Sequence, residues 1–310
     1  MNIENRIAAL ERKFKSNLSK ETIKSIPTDW EQFVGLTTIR SGGAMKPFIP
    51  YEYQKIISNL MDKYNNIIAV KSRQTGITQM VVSKFLHRAA LNAAYSAMAF
   101  MRNSEDASAI SRRARQMLSG LDAYIKPDND NVGYLKLRDK GDIYFRNSGK
   151  EGCRSYDSVL DFLFDEAAFC PNIQEIYAAS SPSGALAGDL ITKMIVSTPS
   201  AKSGWYWEKL SENNGGLDIE EICKDVADGK LYKDIPGLYY FEDKAGTLKL
   251  VIHYSCHPVY NQRKDYLEYR MLQDGTDYET VEREYNLKFI DASVAVFSSD
   301  LVRMKCYRTL

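Results

Sequence analysis

The chain has 310 residues, 44% hydrophobic and 26% charged, which suits one large α/β domain, with or without a small appendage, and excludes a low-complexity chain. Forty-one basic residues stand against 40 acidic ones, so the net charge of +1 excludes a nucleic-acid field across the whole molecule while allowing a local basic face. Five dispersed cysteines (Cys153, Cys170, Cys223, Cys256, Cys306) read as reduced thiols, and no apolar run approaches the roughly 20 residues that span a bilayer.

Residues 3–25 carry Ile3, Ile7, Leu10, Phe14 and Leu18 at three-to-four spacing, which predicts an amphipathic helix. A helix over 52–63 leads into the apolar run Ile67–Val70, then KSRQTGIT, then a helical pattern from Gln79 to about Leu91. A strand is expected at Ser96–Met101 and a helix over 104–120, followed by a hairpin around Asp139–Asp142. Val159–Phe164 and Met194–Ser197 are continuous apolar runs of the buried-strand type. Asp161 interrupts the first, so that strand is expected to be partly edge-like. Residues 211–247 are rich in Asn, Gly, Asp and Lys and read as an excursion from the sheet. The segment Lys249–His257 reads as a strand running into a loop. Its His253, Cys256 and His257 lack the second cluster that a four-ligand zinc site needs. Helices resume over 262–273 and 277–286. Alternating strands and helices imply a mostly parallel sheet covered on both faces. The organisation expected is a helical segment over 1–45, an α/β core over 46–210, and an insertion with a C-terminal subdomain over 211–310.

Four segments carry chemistry. In KSRQTGIT, Gly76 and Thr78 hold the places of the last glycine and the hydroxyl residue of a phosphate loop, but Ile77 replaces the lysine and Lys71 stands at the first glycine position. Such a loop needs backbone N–H groups aimed at phosphates, a cation near the outer phosphate oxygens and a hydroxyl for magnesium. Lys71 and Arg73 are both candidates for the cation. The run from Val159 ends in Asp165-Glu166, a pair that suits a metal-holding carboxylate followed by one that orients water. The 87-residue separation of Thr78 and Asp165 leaves room for two strand–helix units. Ser197 and Thr198 end a third buried strand, beside the crevice at the carboxyl edge of a parallel sheet. Gln54, at a helix start just before the loop, offers a donor and an acceptor together, as an adenine edge requires. Arg112, Arg113 and Arg115 share one helical stretch and are candidates for phosphate contacts or for a solvated face.

In this order PYEYQ, KSRQTGIT, LFDEAAF and IVSTPS resemble the ATPase domains of tailed-bacteriophage terminase large subunits and, more distantly, superfamily 2 helicases. The resemblance covers roughly residues 45–300 and implies an α/β fold of the RecA/ASCE P-loop type. It implies binding of ATP by Gln54, Lys71, Ser72, Arg73, Gln74, Thr75, Gly76, Ile77 and Thr78. Thr78 and Asp165 would hold Mg²⁺, Glu166 would act on water, and Ser197-Thr198 would couple hydrolysis to movement. It also implies that Arg154, before the Asp-Glu strand, reaches a neighbouring subunit's ATP as a finger. Double-stranded DNA, a portal protein, a procapsid and a small terminase subunit are the implied partners. The chain is expected to be a monomer in isolation and a ring when assembled, in the host cytoplasm and with no membrane role. The family's nuclease domain would lie beyond Leu310, so nuclease activity is not expected here. A helicase-like ATPase and a nucleotide-binding protein without hydrolysis are the alternatives.

Overall fold

The computed structural model describes residues 25–121, 124–129, 131–149, 158–183 and 190–291. The helix expected over 3–25 therefore lies almost wholly outside them, as does Arg154. A short helix α1 (Trp30–Gly35) and a hairpin of β1 (Thr38–Ser41) and β2 (Ala44–Pro47) lead to α2 (Glu52–Leu60). Then follow β3 (Asn66–Lys71), α3 (Ile77–Leu91), β4 (Ser96–Met101), α4 (Ser104–Leu118), β5 (Tyr134–Lys136) and β6 (Asp142–Asn147). The chain continues through β7 (Asp161–Asp165), α5 (Ile173–Ser183), β8 (Thr192–Ser197), α6 (Trp205–Ser211) and α7 (Ile219–Ala227). It closes with β9 (Leu238–Glu242), β10 (Leu248–Ile252), α8 (Tyr266–Asp274) and α9 (Tyr278–Tyr285).

Eight strands form one sheet in the order β5-β6-β4-β7-β8-β3-β10-β9. The six inner strands are parallel, and β5 and β9 close the edges antiparallel. Apolar side chains on β3 alternate between the faces, as the two-residue period of a strand requires. Ile67 and Ala69 enter the cluster that buries Phe33, Ile57, Phe85 and Leu86, whereas Ile68 and Val70 enter the one that buries Phe100, Phe164 and Ile222. Strands buried on both faces explain why the sequence shows runs of apolar residues here rather than alternation.

Two sequence expectations change. The excursion from the sheet is shorter than 211–247 suggested, because β9 already pairs with β10 in the main sheet, and β10 runs parallel beside β3. β7 is central rather than edge-like, flanked by β4 and β8. Asp161 is tolerated there because it is fully engaged: Nη1 of Arg88 donates to both carboxylate oxygens, at 2.7 and 2.6 Å, and the Tyr95 hydroxyl donates as well. Arg88 sits in the last turn of α3 and also bonds Asp62 at 2.7 Å. No helix among the described residues is long and apolar enough to cross a membrane.

Asp161 is 1% exposed, so Asp161→Ala would leave Arg88 with only the half-exposed Asp62 as counterion. Removing one member of a buried pair typically costs about 3–5 kcal/mol. A comparable fall in urea-unfolding free energy is expected for Asp161→Ala; a loss below about 1 kcal/mol would mean that Asp62 suffices.

Candidate nucleotide site

Lys71 ends β3, Asp165 ends β7 and Ser197 ends β8, so the parallel register brings three functional segments to one edge of the sheet. Between β3 and α3 the backbone enters the left-handed region twice, at Gln74 (φ +62°) and Gly76 (φ +73°). Turns of this kind gather successive N–H groups into an anion-binding concavity, and the first amides of α3 add theirs because no helical acceptor precedes them. A Cβ on residue 76 would stand 2.9 Å from Nε2 of Gln54, the end of a side chain that would have to shift, and the positive φ itself favours glycine here. Ile77 buries its side chain in the core at 1% exposure and brings no polar group to the loop.

Lys71 Nζ lies 2.9 Å from Oε1 of Glu166, and its side chain is 6% exposed. Glu166 follows the strand in a left-handed conformation, φ +51°, which turns its carboxylate back across the sheet edge. Its second oxygen faces the Thr198 amide at 3.4 Å and the Thr198 hydroxyl at 3.5 Å. The Thr78 hydroxyl donates to Oδ2 of Asp165 at 2.9 Å, while Oδ1 of Asp165 is buried without a hydrogen-bond partner. Burial would raise the Glu166 carboxyl, but the Lys71 charge and hydrogen bond, with the Thr198 amide, hold it below the usual range. Burial, and then the adjacent Glu166 charge, push the Asp165 carboxyl up to about 6.

These groups surround a cleft of about 710 Å³, within the range of small-ligand sites. Lys71, Arg73, Gln74, Thr75, Gly76, Ile77, Thr78, Asp165, Glu166 and Thr198, all expected from sequence, line it. Three of the expected residues do not. Ser72 is fully buried; its hydroxyl donates to the Tyr285 carbonyl and accepts from the Tyr254 amide, which ties the loop to α9. Gln54 is 2% exposed, its carbonyl oxygen accepts from the Tyr51 amide, and its Nε2 lies 3.4 Å from the Thr75 and Gly76 carbonyls. It therefore props the loop from beneath rather than offering both edges to a base. Ser197 is also buried and accepts from the Ala168 amide at 3.2 Å. Arg102, Arg113, Arg283 and Glu284 line the cleft without having been expected there. Charged residues on amphipathic helices read as solvated faces, and no local signal marks them.

A three-layer α/β fold with a phosphate loop after one inner strand and Asp-Glu after another defines the RecA-like class of P-loop ATPases. A family model described as the N-terminal part of the T4likevirus-type terminase large subunit matches residues 68–304, and the chain belongs to that family. The structure is similar to the ATPase domain of the Thermus phage P74-26 large terminase, with a TM-score of 0.58 and 14% identity over 84% of this chain and 98% of that one. It is also similar to the large terminase of a thermophilic bacteriophage in complex with ADP, with a TM-score of 0.50 and 15% identity. That likeness covers 78% of this chain and 54% of the other, so the chain spans about half the length of that thermophilic phage protein. At such identities the likeness is one of fold. No curated protein sequence matches the chain.

The position of Asp165 has a measurable consequence. Its folded-state value of about 6 lies above its ordinary 3.8. Its favourable contribution is therefore full below about pH 4 and is lost as pH rises through about 6. Asp165→Asn, uncharged throughout, should raise the thermal midpoint of the ligand-free chain at pH 8, with the gain shrinking as pH falls from 6 toward 4. Equal midpoints at pH 8 would show that Asp165 ionises there without cost.

Proposed function

We propose that this chain is the ATP-hydrolysing motor part of a terminase large subunit, driving double-stranded DNA into a procapsid. The observation that carries the reading is the convergence of Lys71, Thr78, Asp165, Glu166 and Thr198 on one sheet edge around a cleft of about 710 Å³. ADP and ATP-γ-S are bound by the large terminase of the thermophilic phage, which favours a nucleotide in the corresponding cleft here.

Each residue has a role that follows from its position. The loop amides of residues 74–78 receive phosphate oxygens. Lys71, the only lysine on the cleft among the described residues, supplies the cation that a lysine at position 77 would otherwise give, with Arg73 as its exposed companion. The unpartnered buried Oδ1 of Asp165 and the Thr78 hydroxyl beside Oδ2 are the hard oxygen donors that suit Mg²⁺. When bound, that ion would neutralise charge on the phosphate oxygens. Glu166 orients a water for attack on the terminal phosphorus: a new P–O bond forms, the bond to the β-γ bridging oxygen breaks, and the water's proton passes toward the carboxylate. Thr198 holds the other Glu166 oxygen and is placed to relay its state to β8. Gln54 and Ser72 position the loop.

The proposal extends to the assembly. Arg154, outside the described residues, remains the candidate finger in trans, in a ring of otherwise monomeric chains. Portal protein and small terminase subunit are the proposed partners on the procapsid, in the host cytoplasm. Arg112 and Arg113 line a groove with Arg40 of β1. These are candidates for duplex phosphates. Arg115 is not among them, because its guanidinium is spent on the carbonyls of Asn129, Asn131 and Tyr134. Residues 211–291 act as an extension of the core sheet followed by the α8–α9 subdomain.

Glu166→Gln should bind Mg²⁺-ATP but lose about 10²–10⁴-fold in turnover, measured on the assembled motor. Near-normal turnover would remove Glu166 from the water-activating role. In the same assay Lys71→Ala should abolish turnover or weaken ATP binding at least about tenfold, whereas Ile77→Val should act only on stability, by about 0.5–1.5 kcal/mol. Normal hydrolysis by Lys71→Ala would transfer the cationic role to Arg73.

A further inference from the structure

Glu284, in the last turn of α9, stands between two arginines on the wall of the cleft. Its Oε2 accepts from Nη1 of Arg73 at 3.1 Å, and its Oε1 accepts from Nε and Nη2 of Arg283 at 3.3 Å each. The carboxylate is the most enclosed of the three side chains, at 12% exposure against 57% for Arg73 and 28% for Arg283. Successive residues of a helix point in different directions and do not normally pair. Here Arg283 and Glu284 meet because the carboxylate is drawn to the loop. The Arg73 amide donates to the Glu284 carbonyl at 2.7 Å, so α9 and the loop are joined by backbone as well.

Two guanidinium groups converging on one small oxyanion form the donor arrangement that phosphate recognition uses. An i,i+1 ion pair formed only for surface solubility would face solvent, whereas this one faces a cleft already equipped for phosphates. We propose that Glu284 is the internal occupant of an anion position formed by Arg73 and Arg283, that a distal phosphate of the nucleotide takes this position, and that Arg283 is thereby a phosphate contact supplied by α9. The proposal rests on reading the cleft as the nucleotide site. A nucleotide must displace Glu284, so its apparent affinity is lowered by the fraction of molecules in which the carboxylate holds the position. Displacement removes one side-chain link between α9 and the loop and leaves the Arg73–Glu284 backbone bond and the Ser72–Tyr285 bond, so the binding of the distal phosphates is felt directly by α9.

The test is equilibrium titration of the full chain with Mg²⁺-ATP-γ-S, Mg²⁺-ADP and AMP. Glu284→Gln, nearly isosteric and uncharged, should bind ATP-γ-S about 3- to 10-fold more tightly than wild type. Arg283→Gln should bind it about tenfold more weakly, with Arg283→Lys in between. AMP, which lacks the distal phosphates, should bind all four proteins alike. With Arg283→Gln in place, adding Glu284→Gln should give a smaller gain than it gives alone. Structural damage does not tighten binding, so unchanged or weaker ATP-γ-S binding by Glu284→Gln overturns the proposal. Equal weakening of AMP and ATP-γ-S by Arg283→Gln also overturns it. If wild type binds none of the three nucleotides, the reading of the cleft fails and the proposal with it; if wild type binds them and the variants match it, only the proposal fails.

Discussion

Helix α3 is held to strand β7 at both ends, and the geometry of the site depends on it. At the carboxyl edge of the sheet the Thr78 hydroxyl meets Asp165; at the opposite edge Arg88 grips Asp161, the first residue of the same strand. One helix of 15 residues thus spans one strand of five, with a polar contact at each end. Between the ends α3 is almost entirely buried, with Met80, Val81, Phe85, Leu86 and Ala89 at or near zero exposure. Apolar packing alone tolerates sliding, because it is non-directional. The two carboxylate contacts are directional and fix the axial position of the helix. Burying Asp161 is costly in itself, and its value lies in specifying this register.

The second organising feature is electrical. The cleft brings Lys71, Arg73, Arg102, Arg113 and Arg283 together with Asp106, Asp165, Glu166 and Glu284. Most of these charges neutralise one another: Lys71 with Glu166, Arg102 with Asp106, and Arg73 and Arg283 with Glu284. Lys71, with a side chain only 6% exposed, would otherwise be a desolvated cation without a counterion, which costs free energy. The exceptions are Arg113, which forms no ion pair among the described residues, and Asp165, whose carboxyl is pushed up by its enclosure and by the second carboxylate beside it.

Much of this was legible in the sequence because it is local. A strand, a loop with Gly76 and Thr78, and a helix are written in consecutive residues, and so are the buried strands ending in Asp165-Glu166 and Ser197-Thr198. What was not legible depends on partners remote in the chain. Asp161 reads as a blemish in an apolar run because Arg88 lies 73 residues away. Ser72 and Gln54 take their expected places in the loop and in the helix before it, but their side-chain directions follow Tyr285 and Tyr254 for the one and the Thr75 and Gly76 carbonyls for the other. Arg283 and Glu284 sit in a run of alternating charge that any solvated helix would show. Only the packing of α9 on the loop gives them a cleft to face.

The departure of the loop from the usual pattern is best understood as one compensated change rather than as decay. Residue 77 opens α3, where its side chain enters the apolar cluster, and burying an isoleucine there is worth about 1.5–3 kcal/mol. A lysine at that position would have to turn out of the cluster to reach a phosphate. Lys71 instead ends β3, directly in register with Ile252 of β10, and the residue before it is in register with Ser197 of β8. A strand end flanked on both sides is among the least mobile positions a sheet offers, and the ammonium is fixed further by Glu166. On the proposed assignment the charge stands not at a helix start, which the macrodipole makes hostile to cations, but at a strand end that carries no such penalty. The loop keeps its positive-φ turns, its amides and its hydroxyl. In the proposed role the Lys71 ammonium approaches from the sheet side, where it also contacts Glu166.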